Sequence, residues 1–169
     1  QTSVWQGLVL EKKTYVQLNN LTFSARDGTT QIDHVIVSKF GIFVVETKKM
    51  SGWIFGDERS AEWTQSIYGR KFRFQNPLRQ NYRHIKVLSE LLSVPEDKFH
   101  SVVVFWGGAE FKTAVPPQVL TKGYGEYIKG KSAPILDESD VDRIVDALGV
   151  AALPKTLKTR LDHIKGLKS

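Results

Sequence analysis

The stretch from Thr30 to Lys48 constrains this chain more than any other part of it. Two runs rich in β-branched residues, Thr30-Gln31-Ile32-Asp33-His34-Val35-Ile36-Val37 and Gly41-Ile42-Phe43-Val44-Val45-Glu46-Thr47-Lys48, meet at Ser38-Lys39-Phe40-Gly41. That pattern predicts two antiparallel strands joined by a tight turn with Gly41 in the left-handed region. Ser38 then pairs with Gly41, and counting back along both strands sets Asp33 opposite Glu46, with Cβ atoms roughly 5 Å apart. Like charges facing each other on a sheet are destabilising. The pair therefore needs an offset: a shared proton, a cation or a bound metal. Alternation puts Ile42, Val44, Glu46 and Lys48 on one side of their strand, and Asp33, Val35 and Val37 together on one side of theirs. Lys48 thus offers a cation on the face of Glu46.

The surroundings of the hairpin predict its setting. Val4, Leu8, Tyr15 and Leu18 fit one face of an amphipathic helix from Val4 to Leu18, with Glu11 in the same stripe and turned toward the core. Such a glutamate either serves a site or pairs with a lysine at the core boundary. Asn19-Asn20 should end that helix, and Leu21 to Arg26 should form a strand before the Asp27-Gly28 turn. Beyond Lys48, the pieces Ser51 to Asp57, Glu62 to Ile67 and Lys71 to Gln75 read as further strands or a ribbon extending the sheet. Asn76-Pro77 starts a helix, Asn as N-cap and Pro as first helical residue, that runs through Ile85, Leu88 and Leu92 and stops before Pro95. The unbroken apolar run Ser101 to Trp106 suits a central strand buried on both faces. Helical patterns follow at Ser139 to Leu148 and at Leu157 to Leu167. The order predicts an α/β fold (α+β mixed), with a mixed central β-sheet flanked by helices. We expect one domain over residues 1–169, its core at about 4–106, completed by strand and helix over 107–169.

Composition narrows the chemistry. The chain has no cysteine, which excludes disulfides, thiolate nucleophiles and cysteine-ligated zinc, and leaves carboxylates and four histidines for hard metals. A formal charge of +6 and a pI near 9.5 fit attraction to a polyanion. No apolar stretch approaches the roughly 20 residues that span a bilayer, and no basic segment leads into an apolar one. The expectation is a soluble, unsecreted, cytoplasmic protein with no membrane contact from this segment. Because the first residue is Gln1, we also expect it to be a piece of something longer.

A Mg²⁺-type ion takes oxygen ligands, often only one or two of them carboxylates, and keeps positions for water and a substrate phosphate. Asp33, Glu46 and the backbone carbonyl of Thr47 would suffice, with Glu11 completing the shell directly or through water. Lys48 would orient or help deprotonate the attacking water and stabilise the transition state. Arg70, Lys71, Arg73, Arg79 and Arg83, interleaved with Phe72, Phe74 and Tyr82, suit a nucleic-acid backbone; a solvated charged face is the alternative. Gln80 and His84, one helical turn apart, form the polar end of a core-facing stripe. Gln80 there either hydrogen-bonds a phosphate or water, or satisfies buried backbone groups. His34 alternates away from Asp33 and is expected to be structural.

The runs Gln31 to Val37 and Gly41 to Lys48, with Gly52-Trp53-Ile54 and Asn76-Pro77-Leu78-Arg79-Gln80, resemble the nuclease-related domain, NERD. That family belongs to the PD-(D/E)xK, restriction-endonuclease-like superfamily. The resemblance covers Glu11 to about Trp106. It implies a restriction-endonuclease-like core, phosphodiester cleavage dependent on Mg²⁺ or Mn²⁺, and Asp33, Glu46 and Lys48 as the catalytic trio. Gly7-Leu8-Val9-Leu10-Glu11 keeps the first Gly and the Glu of the family's helical motif but carries Leu for its second Gly; Glu11 is still assigned. Ile32 stands where the superfamily has Pro, and Gln80 with His84 matches a Gln-helix motif of some relatives. Nucleic acid, DNA before RNA, is the expected partner, with a fused or associated helicase, kinase or zinc-ribbon protein as a further one. The alternative is a nucleic-acid-binding or scaffolding module with this fold and little turnover.

Overall fold

A computed structural model describes residues 14–153 of the chain. Its strands are β1 (Val16–Ala25), β2 (Gly28–Ser38), β3 (Gly41–Lys49), β4 (Gly52–Phe55), β5 (Glu62–Ile67) and β6 (Arg70–Gln75), followed, after helix α1 (Pro77–Leu92), by β7 (Phe99–Trp106), β8 (Ala109–Phe111) and β9 (Val119–Leu120). Helices α2 (Tyr124–Gly130) and α3 (Glu138–Ala151) close the described chain.

The hairpin forms in the register that alternation requires: Ser38 pairs with Gly41, and the ladder runs back to His34 and Val45. Gly41 takes φ +123°, and a Cβ there would meet the Lys98 carbonyl oxygen at 2.8 Å, so both conformation and space select glycine. The central sheet has the order β1-β2-β3-β7-β9. Its first three strands are antiparallel, whereas β3, β7 and β9 are parallel, which makes α1 the cover on the crossover from β3 to β7. Val102 to Phe105 of β7 are buried, as their unbroken apolar run predicts.

Each face of this sheet has its own apolar layer. Val35, Val37, Ile42 and Val44 pack with Ile85, Leu88 and Leu92 of α1 and Ile144 and Leu148 of α3. On the other face, Ile36, Phe43, Val45, Val102 and Val104 pack with Ile128 of α2. The helix α1 starts as expected: the Asn76 side chain accepts from the Leu78 N–H, and Pro77 sits in the first turn. It ends at Ser93, whose left-handed backbone (φ 54°) comes two residues before Pro95.

Two expectations need correction. The helix predicted for Val4 to Leu18 does not reach Leu18, because β1 begins at Val16 and Val16 to Asn19 pair with Val37 to His34. Tyr15 and Leu18, three residues apart, pack in the layers on opposite faces of the sheet, where a helix would have stacked them together. The exposed edge of β2 supplies a ladder that a helix there would leave unpaired. Residues 4–13, and the helix predicted at Leu157 to Leu167, lie outside the described residues. The second correction concerns the ribbon after Lys48. Rather than extending the central sheet it builds its own, of order β6-β5-β4-β8. β4 continues directly from β3, and β8 from β7, so the parallel pair β3/β7 is prolonged as the parallel pair β4/β8. Met50 N–H donates to the Trp106 carbonyl at 2.8 Å across that junction. The second core, Ile54 and Trp63 against Val103 and Phe105, joins the two sheets.

Candidate active site

The pairing of strand β2 lapses at one residue, Asp33. Its ladder with β1 passes from Asn19–His34 to Leu21–Ile32, and its ladder with β3 stops at His34–Val45. Both registers, carried one step on, would give Asp33 the partners Asn20 and Glu46. Asn20 instead takes φ +53°, a conformation that Asn tolerates better than most residues. Alternation breaks at the same place, since Ile32 and Val35, an odd number of positions apart, both enter the layer under α1. In place of a ladder bond, Asp33 Oδ2 accepts from the Thr47 N–H at 3.0 Å and from the Thr47 hydroxyl at 2.9 Å. A side-chain carboxylate thus satisfies a backbone donor of β3 and ties itself to the residue after Glu46.

Glu46 ends the apolar row Ile42-Val44 and is buried. Burial and then the negative charge of Asp33 raise its carboxyl to about 7, against the opposing pull of Lys48. Lys48 Nζ lies 3.2 Å from Glu46 Oε1 and donates to Gln80 Oε1 at 2.9 Å, so the ammonium is held between β3 and α1. The Gln80 oxygen is therefore spent on fixing the lysine. His84, one turn on, brings Nδ1 to 3.8 Å from Glu46 Oε2. This contact is not an ion pair, because burial depresses the His84 ring to about 4 and keeps it neutral. Its Nδ1 is buried without a hydrogen bond.

Asn81 escaped the sequence reading. It is fully buried and donates from Nδ2 to the Val44 carbonyl and the Ser101 hydroxyl, both at 2.8 Å, pinning α1 to β3 and β7 two pairs before Glu46. The signal was present, since Asn81 stands four residues before Ile85 and seven before Leu88 in the core stripe. His34 is structural as expected: its Nδ1 lies 2.7 Å from Asn19 Oδ1.

Among the described residues, no three His, Cys, Asp or Glu side chains converge as a metal cage. Asp33, Glu46 and the Thr47 carbonyl would together offer the oxygen donors a hard divalent ion accepts when water and phosphate fill its remaining positions. Burial and then the charge of Asp33 push the Glu46 carboxyl up to about 7, and a cation beside the two carboxylates would offset both effects. Glu11 lies outside the described residues.

The basic candidates fall in two groups. Arg70, Lys71 and Arg73 are exposed on β6, and Arg79 and Arg83 are exposed on α1, which follows that strand directly. Arg73 approaches Glu62 at 4.0 Å; among the described residues the other four form no ion pair. Of the interleaved aromatics, Phe74 turns inward against Trp63 and Phe105, whereas Phe72 and Tyr82 remain exposed.

The family model for the nuclease-related domain matches residues 4–106. An uncharacterized protein of Bacillus anthracis is 50% identical over 84 residues, which is 49% of this chain and 40% of that protein. The chain thus spans about two fifths of that relative's length. No solved structure matches the chain. No helix among the described residues is long and apolar enough to cross a membrane.

Proposed function

Because the chain belongs to the nuclease-related domain family, within the restriction-endonuclease-like superfamily, we propose that it is a divalent-metal-dependent nuclease hydrolysing phosphodiester bonds, with DNA the favoured substrate. The observation that carries this reading is Asp33 bound to Thr47 beside a buried Glu46, with Lys48 3.2 Å away and held by Gln80. Asp33, Glu46 and the Thr47 carbonyl would hold Mg²⁺ or Mn²⁺, with Glu11 as a further ligand. The bound ion would supply charge neutralisation and a water that ionises near neutral pH.

The chain's own residues do the rest. Thr47 holds Asp33 in one rotamer, so the carboxylate needs no reordering when phosphate arrives. Lys48 points a fixed ammonium at the same space and stabilises charge growing on the phosphate oxygens. Gln80 positions that ammonium, and Asn81 positions the β3 backbone that carries Glu46. The basic residues of β6 and α1 hold the nucleic-acid backbone through sequence-independent contacts.

Wild type, Glu46→Ala and Lys48→Ala, incubated with labelled single-stranded, duplex and flapped DNA and RNA in Mg²⁺, Mn²⁺ or EDTA, test this. Cleavage by wild type alone, abolished by EDTA, is expected. Full activity in either variant overturns the assignment. Salt-sensitive binding without cleavage of any substrate would instead make the domain a recognition module.

A further inference from the structure

The outer side of the second sheet carries aromatic surface that neither the core nor the candidate active site uses. Trp53 on β4 is 51% exposed, and Tyr68, at the tip of the β5–β6 hairpin, is 95% exposed. Between them opens a pocket of about 400 Å³, lined also by Ser51, Ser66 and Ile67. The hairpin tip is a two-residue loop closed by the Ile67–Arg70 pair, and both of its residues have positive φ, Tyr68 at 50° and Gly69 at 73°. Such a turn favours Asn-Gly, which makes Tyr the wrong residue for the backbone it occupies. Backbone strain of this kind collects where a side chain is needed for something other than folding. Here the side chain touches solvent and the pocket rim.

The charges around the pocket have one sign where they are free. Trp53, Ser66 and Lys71 lie in one cross-strand row, and Arg70 begins the strand after the turn. Neither Lys71 nor Arg70 meets an acidic partner among the described residues. Lys112 lies over the indole at 4.7 Å, its charge compensated by Glu110 at 2.8 Å, and Trp53 still keeps half its surface open. Aromatic rings beside uncompensated cations are the features that hold an unpaired base and its phosphate.

We infer that the pocket between Trp53 and Tyr68 takes an unpaired nucleobase of a single-stranded nucleic acid, stacking it on these rings while Lys71, on the same face as Trp53, meets the adjoining phosphate. Its place in the fold ties it to the candidate active site. Trp53 is only five residues beyond Lys48, so the two are at most about 18 Å apart along the chain. A base seated here would choose a single-stranded or frayed segment near the scissile bond. The inference rests on the nuclease reading for its biological sense but not for its test.

Binding is measured in EDTA, so that no cleavage enters, by titrating a labelled oligothymidylate and a blunt duplex into wild type, Trp53→Ala and Tyr68→Asn. Asn suits the positive φ better than Tyr, so the second variant keeps the hairpin. Each variant should lose roughly 5- to 160-fold in affinity for the single strand, the effect of removing one stacking ring, and change little on duplex. In wild type but not Trp53→Phe, part of the tryptophan fluorescence should be quenched as the oligonucleotide binds. Unchanged single-strand affinity in both variants, or equal losses on single strand and duplex, overturns the inference. Metal-dependent cleavage with unaltered binding in the variants would refute the base pocket and spare the nuclease. Ring-dependent binding without cleavage would do the reverse.

Discussion

The two sheets share one prolonged pair of strands, β3/β7 carried on as β4/β8, and treat their side chains in opposite ways. In the central sheet β3 is covered on both faces as far as Glu46, so that carboxylate is buried, and Glu46 and the half-buried Asp33 of β2 are held by named partners. In the second sheet β4 is covered on one face only, and Trp53 and Phe55 turn outward although they are apolar. A buried charge is costly unless paired, whereas an exposed ring costs little and needs a reason only when several gather. The comparison teaches where to look for chemistry and where for recognition. Unusual polarity marks the first sheet, and unusual apolarity the second.

The sharpest way to break the comparison is to remove the charge from the first sheet. Glu46→Gln should abolish metal-dependent cleavage, a loss of several kcal/mol in transition-state stabilisation. The same change should stabilise the metal-free protein above pH 7. The folded carboxyl titrates at about 7, above its ordinary 4.5. Wild-type stability is therefore intact below 4.5 and falls as pH rises to 7, by on the order of 3 kcal/mol. Urea denaturation at pH 8 in EDTA should show the variant more stable than wild type. Equal midpoints would mean that Glu46 is not strained in the apoprotein.

Next in size is the effect of a buried base. Burial lowers the His34 ring to about 4 from 6.5, so the folded state refuses a proton that the unfolded chain accepts. Its contribution is fully present above pH 6.5 and is lost as pH falls toward 4, again on the order of 3 kcal/mol. The sign is opposite to that of Glu46, so between pH 4.5 and 6.5 the two slopes oppose each other. His34→Gln should flatten the acid limb of the stability curve, measured by urea midpoints from pH 4 to 8. An unchanged limb would place the acid sensitivity elsewhere, with His84 or His100, both also lowered by burial.

How much of this was legible depended on whether the signal was local. The hairpin register was, because a four-residue turn and strict alternation leave little freedom, and so was the start of α1 at Asn76-Pro77. The start of the first strand, before Leu21, was not: Tyr15 and Leu18 fit a helical stripe, and the choice against it is made by the unpaired edge of β2, distant in sequence. The interruption at Asp33 also needs tertiary context, since it requires Asn20 and Thr47 together. The face of the second sheet on which Trp53 lies could not be read, because four-residue strands alternate too briefly to orient themselves.

Asn81 tests the link between the helix and the site. Its amide is buried and bonded to β3 and β7, so Asn81→Ala should cost about 1 to 3 kcal/mol, through lost bonds to backbone left without water. Cleavage should fall further than stability alone explains, because the β3 segment carrying Glu46 loses its brace. Activity measured well below the melting transition separates the two. If it stays at the wild-type level, Asn81 serves the fold alone.

The smallest effect is expected in the second sheet, and its sign is the point. Tyr68→Asn removes a ring that is 95% exposed and relieves a positive φ that Asn accepts. Stability should stay level or rise by up to about 1 kcal/mol, the scale of left-handed strain in a non-glycine residue. A ring retained for packing would give the opposite sign, a measurable loss, and thermal melts of the two proteins decide it. A neutral or stabilising outcome would mean that folding has no use for the Tyr68 ring, which leaves the pocket beside it as the place to seek one.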